Sequence, residues 1–152
     1  MPGRATIEDF LAQRELAFVG VSRDPKAFGN VVYRAMRDAG HRLHPVHPTA
    51  EVLEGDACVP SLADVPRTVG GVVVLVPADA AVDVVRDALD AGVPRVWLHR
   101  GAGPGAVSDE AVRLCAARGV PVVDGACPLM FLDPVRGVHR LHRALSRRRF
   151  AA

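Results

Sequence analysis

The sequence predicts a single α/β domain, a doubly wound, Rossmann-like parallel sheet with strand order 3-2-1-4-5-6. Three observations carry this prediction. Six short apolar runs alternate with helical patterns across short connections. One run, "GGVVVLVP", is nearly continuous Val, as expected for a strand buried on both faces of a parallel sheet. The chain has 152 residues, 49% hydrophobic and 24% charged, which suits one ordinary globular domain with a proper core.

The elements follow in order. "TIEDFLAQ" reads as a short leading helix capped by Thr6, with acids in its first turn. "LAFVGV" is strand one, and "NVVYRAMRDAG" is a helix stopped by Gly40. "RLHPV" is strand two, and "GDACVPSL" offers a brief third strand ending at Pro60. The Val run is strand four. "DAAVDVVRDALDAGV" is an amphipathic helix with Ala81, Val84, Val85, Ala88 and Leu89 on one side. "RVWLH" is strand five, "SDEAVRLCAARGV" a capped helix with acids up front, and "PVVD" strand six. The domain takes in residues 1–135, and residues 136–152 form a basic C-terminal helix or tail.

Composition narrows the function classes. No apolar stretch is long enough to span a bilayer, and "MPGRATIEDF" lacks the features of a signal peptide, so a cytoplasmic protein is expected. Three cysteines without CxxC spacing argue against a disulfide framework and a zinc site. The tail "RGVHRLHRALSRRRFAA" carries six Arg and no acid, which exceeds the chain's net charge of +2, so the body is mildly acidic. Such a tail could touch nucleic acid, but Val138, Leu141 and Leu145 are spaced to pack one face of a solvated helix, which is the preferred reading. Neither nucleic acid nor membrane is expected as a partner.

In sheets of this class ligands bind at the carboxyl ends of the strands, where the order reverses between strands one and four. That rule selects the loops after Val21, Val46 and Val76. In the first loop Gly20 permits close backbone approach, Ser22 offers a hydroxyl and Lys26 a cation, and Gly29-Asn30 opens the helix, whose N-terminus favours a pyrophosphate. The NAD fingerprint G-x-G-x-x-G is missing, because Gly20 and Gly29 lie nine apart. An NAD site also wants an acid at the end of strand two, where this chain has His47-Pro48, and Glu51 comes several residues late. His47 accommodates an extra phosphate near the adenosine better than a carboxylate would. An NAD(P)-binding, oxidoreductase-like protein is the alternative function.

Five stretches, "FVGVSRDPKAFGN", "HPVHPTAEVLEGDACVPSLADVP", "VVVLVPADA", "VWLHRGA" and "VVDGACPLM", occur in register over residues 10–130. In these the chain resembles the small stand-alone CoA-binding proteins, related to the CoA-binding domain of the succinyl-CoA synthetase alpha subunit. The resemblance implies coenzyme A, or an acyl-CoA, as a small-molecule ligand. Its contacts would be the first loop (Gly20, Val21, Ser22, Arg23, Lys26, Phe28, Gly29, Asn30), the turn at Val46, His47 and Pro48, the strand end at Val76 and Pro77, and the segment with Trp97, His99 and Gly101. The family usually has Asn in the turn that here reads "PVHP", and Gln or Glu where His99 stands. The larger ligases act through a phosphorylated His and a second domain that this chain does not carry, so a non-catalytic role is expected, with a protein partner or homo-oligomer compatible with it.

Several residues admit two readings. His47 and His99, at strand ends on the site side, suit acid–base work, but phosphate or ribose contact is the simpler role. Trp97, the only tryptophan, lies on a buried strand where a core role competes with a ligand platform. Gly101, Gly103 and Gly105 could let the loop approach a ligand, or simply make a pliable surface loop. Cys127, in "DGACPLM", matches a Cys the family often shows and is a candidate for redox pairing with the CoA thiol; a small buried hydrophobe is the alternative. Cys58 and Cys115 read as core.

Overall fold

The computed structural model describes residues 3–100 and 105–132. Five strands form one parallel sheet: β1 (Glu15–Val19), β2 (Arg42–Val46), β5 (Val72–Val74), β6 (Val96–His99) and β7 (Val122–Ala126). Their order is β2-β1-β5-β6-β7, so the expected sequence of strands two, one, four, five and six holds. Strand three keeps its expected place at the edge but shrinks to a single parallel bridge between Val46 and Val59. The Val59 N–H donates to the Pro45 carbonyl at 3.0 Å, and the His47 N–H donates to the Val59 carbonyl at 3.0 Å. The residues between are diverted into an antiparallel hairpin of β3 (Val52–Leu53) and β4 (Asp56–Ala57). Pro60 then ends the pairing, since it has no N–H to extend a ladder.

Helices cover both faces. α1 (Arg4–Leu11) and α2 (Phe28–Asp38) lie on one; α3 (Ala78–Asp90) and α4 (Asp109–Ala117) lie on the other. Thr6, expected as the first helix's cap, sits inside α1; Gly3 is the cap residue and makes no side-chain cap bond. The α1/α2 layer is aromatic: Phe10 meets Trp97 edge-on at 5.3 Å between centroids, and Phe18 meets Tyr33 at 5.3 Å. The α3/α4 layer is aliphatic, with Ala81, Val85 and Ala88 on one stripe of α3 against Val72 and Val74. Burying Val72, Val73 and Val74 completely requires cover on both sides, which is why this segment reads as an unbroken apolar run. The reversal of strand order between β1 and β5 leaves a crevice at their carboxyl ends, between the starts of α2 and α3.

Candidate functional site

The loop from β1 to α2 is pressed onto the end of β5. Gly20 has φ +129°, and a Cβ built there would lie 2.2 Å from the Leu75 carbonyl oxygen. A Cβ on Gly29 would lie 2.2 Å from the Gly20 carbonyl oxygen. The two glycines nine apart therefore let strand end, loop and helix start stack backbone on backbone. Within the loop the Ser22 hydroxyl accepts from the Asp24 N–H at 3.0 Å, and the Asp24 carboxylate accepts from the Lys26 N–H at 2.9 Å. These short turns fix the path and leave the Arg23 and Lys26 side chains exposed beside the start of α2.

That helix start is chemically open. α2 has Ala27 at its cap position, no side-chain cap bond and no acid in its first turn. α4, by contrast, is closed by the Ser108 hydroxyl and carries Asp109 and Glu110, and α3 carries Asp79. Of the three helices that follow sheet strands over the crevice side, α2 alone presents free N–H groups and a partial positive charge without an opposing carboxylate in its first turn.

Asn30, expected to contact ligand, is 1% exposed and fully engaged within the protein. Its Oδ1 accepts from the Ser22 N–H at 2.8 Å, while its Nδ2 donates to the Ser22 carbonyl and to Glu54 Oε1, each at 2.8 Å. Arg34 donates to the same Glu54 oxygen at 2.7 Å and to the Pro25 carbonyl at 3.1 Å. One turn on, Arg37 donates to the Glu54 carbonyl and to Asp56, and Tyr33 donates to Asp56 at 2.6 Å. Asn30, Tyr33, Arg34 and Arg37 occupy one stripe of α2, spaced i, i+3, i+4 and i+7, and clamp the β3–β4 hairpin to the loop. The hydrogen bond from Asn30, with Arg34 beside it, holds the Glu54 carboxyl below its ordinary range. Glu54 also adopts φ +52°, followed by Gly55 at +81°, as a tight two-residue hairpin turn requires. Sequence reasoning missed this clamp; its only signal was the polar stripe along α2.

The hairpin and the loop enclose an open cleft of about 530 Å³ whose walls include Ser22, Arg23, Thr49, Ala50 and Glu54. Arg23 donates to the Thr49 hydroxyl at 3.0 Å, bringing its guanidinium across the cleft. His47 Nδ1 accepts from the N–H groups of Thr49 (3.2 Å) and Ala50 (2.9 Å). A nitrogen that accepts two N–H bonds carries no proton, so the proton resides on Nε2 and His47 presents a donor. Val46 is half-buried and Pro48 exposed beside it; across the sheet Val76 is half-buried and Pro77 opens α3.

Trp97 is wholly buried, with Nε1 donating to the Ala126 carbonyl at 2.9 Å, so its side chain serves the core. His99, at the end of β6, is 6% exposed and lies against Phe28, the first residue of α2, at 5.4 Å between ring centroids. Burial pushes its imidazole below the ordinary histidine range. Gly101 and Gly103 fall outside the described residues, as does the tail. Gly105, at φ +58°, packs on the His99 carbonyl, which the Ala106 N–H also reaches at 2.8 Å. Cys127 is 7% exposed at the end of β7, and burial raises the Cys115 thiol to about 11. Among the described residues no His, Cys, Asp and Glu group is arranged to hold a metal ion, and no helix is long and apolar enough to cross a membrane.

A parallel sheet with a glycine-packed first loop and an uncapped helix start above its switch point is the architecture of a Rossmann-like α/β domain. Residues 14–133 match the CoA binding domain model, and the chain belongs to that family. It is 29% identical over 127 residues to the protein YneT of Bacillus subtilis (strain 168), covering 83% of this chain and 91% of YneT. A conserved protein of Pyrococcus furiosus superimposes with a TM-score of 0.71 at 31% identity, over 77% of this chain and 97% of that one. Acetyl-coenzyme A synthetase 1 of Ca. Korarchaeum cryptofilum, in complex with phosphate and ADP, superimposes with a TM-score of 0.68 at 30% identity. That match covers 78% of this chain and 27% of the synthetase.

Proposed function

We propose that the chain binds coenzyme A, or an acyl-CoA, across the carboxyl ends of the strands and carries out no chemistry on it by itself. The observation that carries this reading is the open start of α2, with its free Phe28 and Gly29 N–H groups beside Lys26 and Arg23. The pyrophosphate rests there. The adenosine end occupies the cleft over β2, where the Nε2 proton of His47 and the guanidinium of Arg23 meet the 3′-phosphate. Asn30, Arg34 and Glu54 hold this wall in place rather than touch the ligand. The pantetheine arm then runs over β5 toward β6, past Val76 and Pro77. Cys127 lies at the far edge, and thiol exchange there would require that edge to open, since the thiol is buried.

His47→Asp tests the adenosine end. It exchanges a donor for an acceptor and a negative charge, so the preference for CoA over dephospho-CoA should shrink about tenfold while NAD gains relative affinity. An unchanged preference would remove His47 from the 3′-phosphate. Incubating the protein with CoA, ATP and a carboxylate and seeing no acyl-CoA by mass spectrometry is the outcome expected of a binding protein; product formation would contradict the non-catalytic role.

A further inference from the structure

Five large apolar side chains are exposed among the described residues, and four of them fall in one place. Phe28 (48% exposed) and Val31 (40%) lie one turn apart on α2, and Ala35 continues their row at the spacing i, i+3, i+7. This row is turned away from the stripe that clamps the hairpin. Met130 (77%) and Phe131 (38%) come from the 3₁₀ turn Pro128–Met130 and the residue after it, and that turn packs against α2. Two ring contacts fix the neighbourhood. Phe28 lies on His99 at 5.4 Å between centroids, and Phe131 lies on Trp97 at 6.1 Å. Trp97 and His99 are two apart on β6, so they leave the same face of the sheet about 7 Å from one another. Phe28 and Phe131 are therefore neighbours, with Val31 and Met130 flanking them. A contiguous apolar patch of this kind marks a surface that another element covers.

The path of the chain selects the element. The described residues end at Leu132, one past Phe131, so residues 133–152 leave from the patch itself. Residues 133–137, "DPVRG", span at most about 17 Å, which holds residue 138 to the neighbourhood of the patch. From there Val138, Leu141 and Leu145 repeat i, i+3, i+7, the spacing of Phe28, Val31 and Ala35. On such a helix Arg140, Arg143 and Arg147 fall on the opposite side. We propose that residues 138–148 form a helix that packs its Val138, Leu141 and Leu145 row on the Phe28, Val31, Met130 and Phe131 patch of the same chain. The arginines of the opposite side stay in water. The short tether favours the same chain over a second copy or another protein, because it keeps the segment at an effective concentration on the order of millimolar. This contact does not involve the ligand and holds whether or not CoA binds.

The experiment uses the whole 152-residue chain. In protein labelled at both Met and Leu methyl groups, NOE spectra should connect the Met130 methyl with those of Leu141 or Leu145. In a mixture of one Met-labelled and one Leu-labelled preparation, that cross-peak should be missing. Substitutions test each side of the contact by thermal unfolding. Met130 is 77% exposed in the described structure, so Met130→Gln would leave Tm unchanged if nothing covered it. Covered by the helix, it should lower Tm by about 3 °C or more. Leu141→Gln with Leu145→Gln should lower Tm by about 5 °C; Gln forms helix nearly as well as Leu, so the loss reports packing. Adding Met130→Gln to that pair should change little more, because both sides remove the same contact. Absence of the cross-peak in the doubly labelled protein would overturn the proposal and leave the patch to a different protein. A cross-peak in the mixture would overturn it in favour of a second copy. Unfolding temperatures within about 1 °C of wild type on either side, or losses that add in full, would also contradict it.

Discussion

Single residues divide here into those that shape the candidate site and those proposed to meet ligand, and substitution should separate them. A Cβ at Gly20 or Gly29 collides with a backbone carbonyl of the protein itself. Gly20→Val should therefore lower stability by at least about 2 kcal/mol in denaturant unfolding, besides abolishing CoA binding. Ser22→Ala with Lys26→Ala should lower the unfolding free energy by no more than about 1 kcal/mol, the loss of the Ser22–Asp24 bond included, and weaken CoA about tenfold, as calorimetry would show. A stable Gly20→Val protein would contradict the packing assignment. The pH response follows from His99. Its folded-state affinity for protons is depressed by burial, so below the unfolded value of about 6.5 the unfolded chain binds more protons than the folded one. Stability should then fall as pH drops from about 6.5 toward 5, above the range where Glu15 and Glu54, both held low by hydrogen bonds, begin to protonate. His99→Phe should flatten that decline; an identical slope would show that His99 does not cause it.

At the level of elements, the stripe on α2 and the β3–β4 hairpin act as one unit. Glu54 accepts from Asn30 and Arg34 while holding a left-handed backbone that a residue with a Cβ adopts only under constraint. Glu54→Ala should cost about 1–3 kcal/mol, because the buried Asn30 amide and the Arg34 guanidinium lose an acceptor together. CoA affinity should fall as well, through loosening of the loop, and an unchanged midpoint in urea would refute the clamp. This unit also shows where sequence reading stops. The strands and the helices of the sheet were legible because apolar period and turn residues are local properties: the Val run, the Gly40 stop and the Ser108 cap all stand where the sequence implies. The clamp joins residues roughly twenty apart through a hairpin whose turn, Glu54-Gly55, lacks the usual Asn or Asp before the glycine. Strand three was legible in position, yet its length depended on that hairpin. Similarly, Gly20 and Gly29 mark the loop from sequence alone, but that their space is filled by Leu75 and Gly20 backbone appears only in three dimensions.

At the scale of the molecule, the switch between β1 and β5 gathers the site from parts of the chain up to about eighty residues apart, from Gly20 to His99. Sequence reasoning proposed that crevice through strand order, before any motif, and the family match over residues 14–133 agrees with CoA as the class of ligand. What it could not supply was division of labour: His47 oriented as a donor by the turn that follows it, Asn30 absorbed into a clamp, Trp97 into the core, and His99 left unpaired. Each depends on neighbours brought from other elements. In the proposed binding mode the crevice is a track with the His47 donor over β2 and the open helix start of α2 at its centre.

The most direct test is calorimetric titration of the reduced protein with CoA, dephospho-CoA, NAD and NADPH in one buffer. The track described above predicts micromolar binding of CoA, about tenfold weaker binding of dephospho-CoA, and weaker binding still of NAD. Binding of NAD or NADPH without heat from CoA would contradict it, and would leave the family fold serving a different nucleotide.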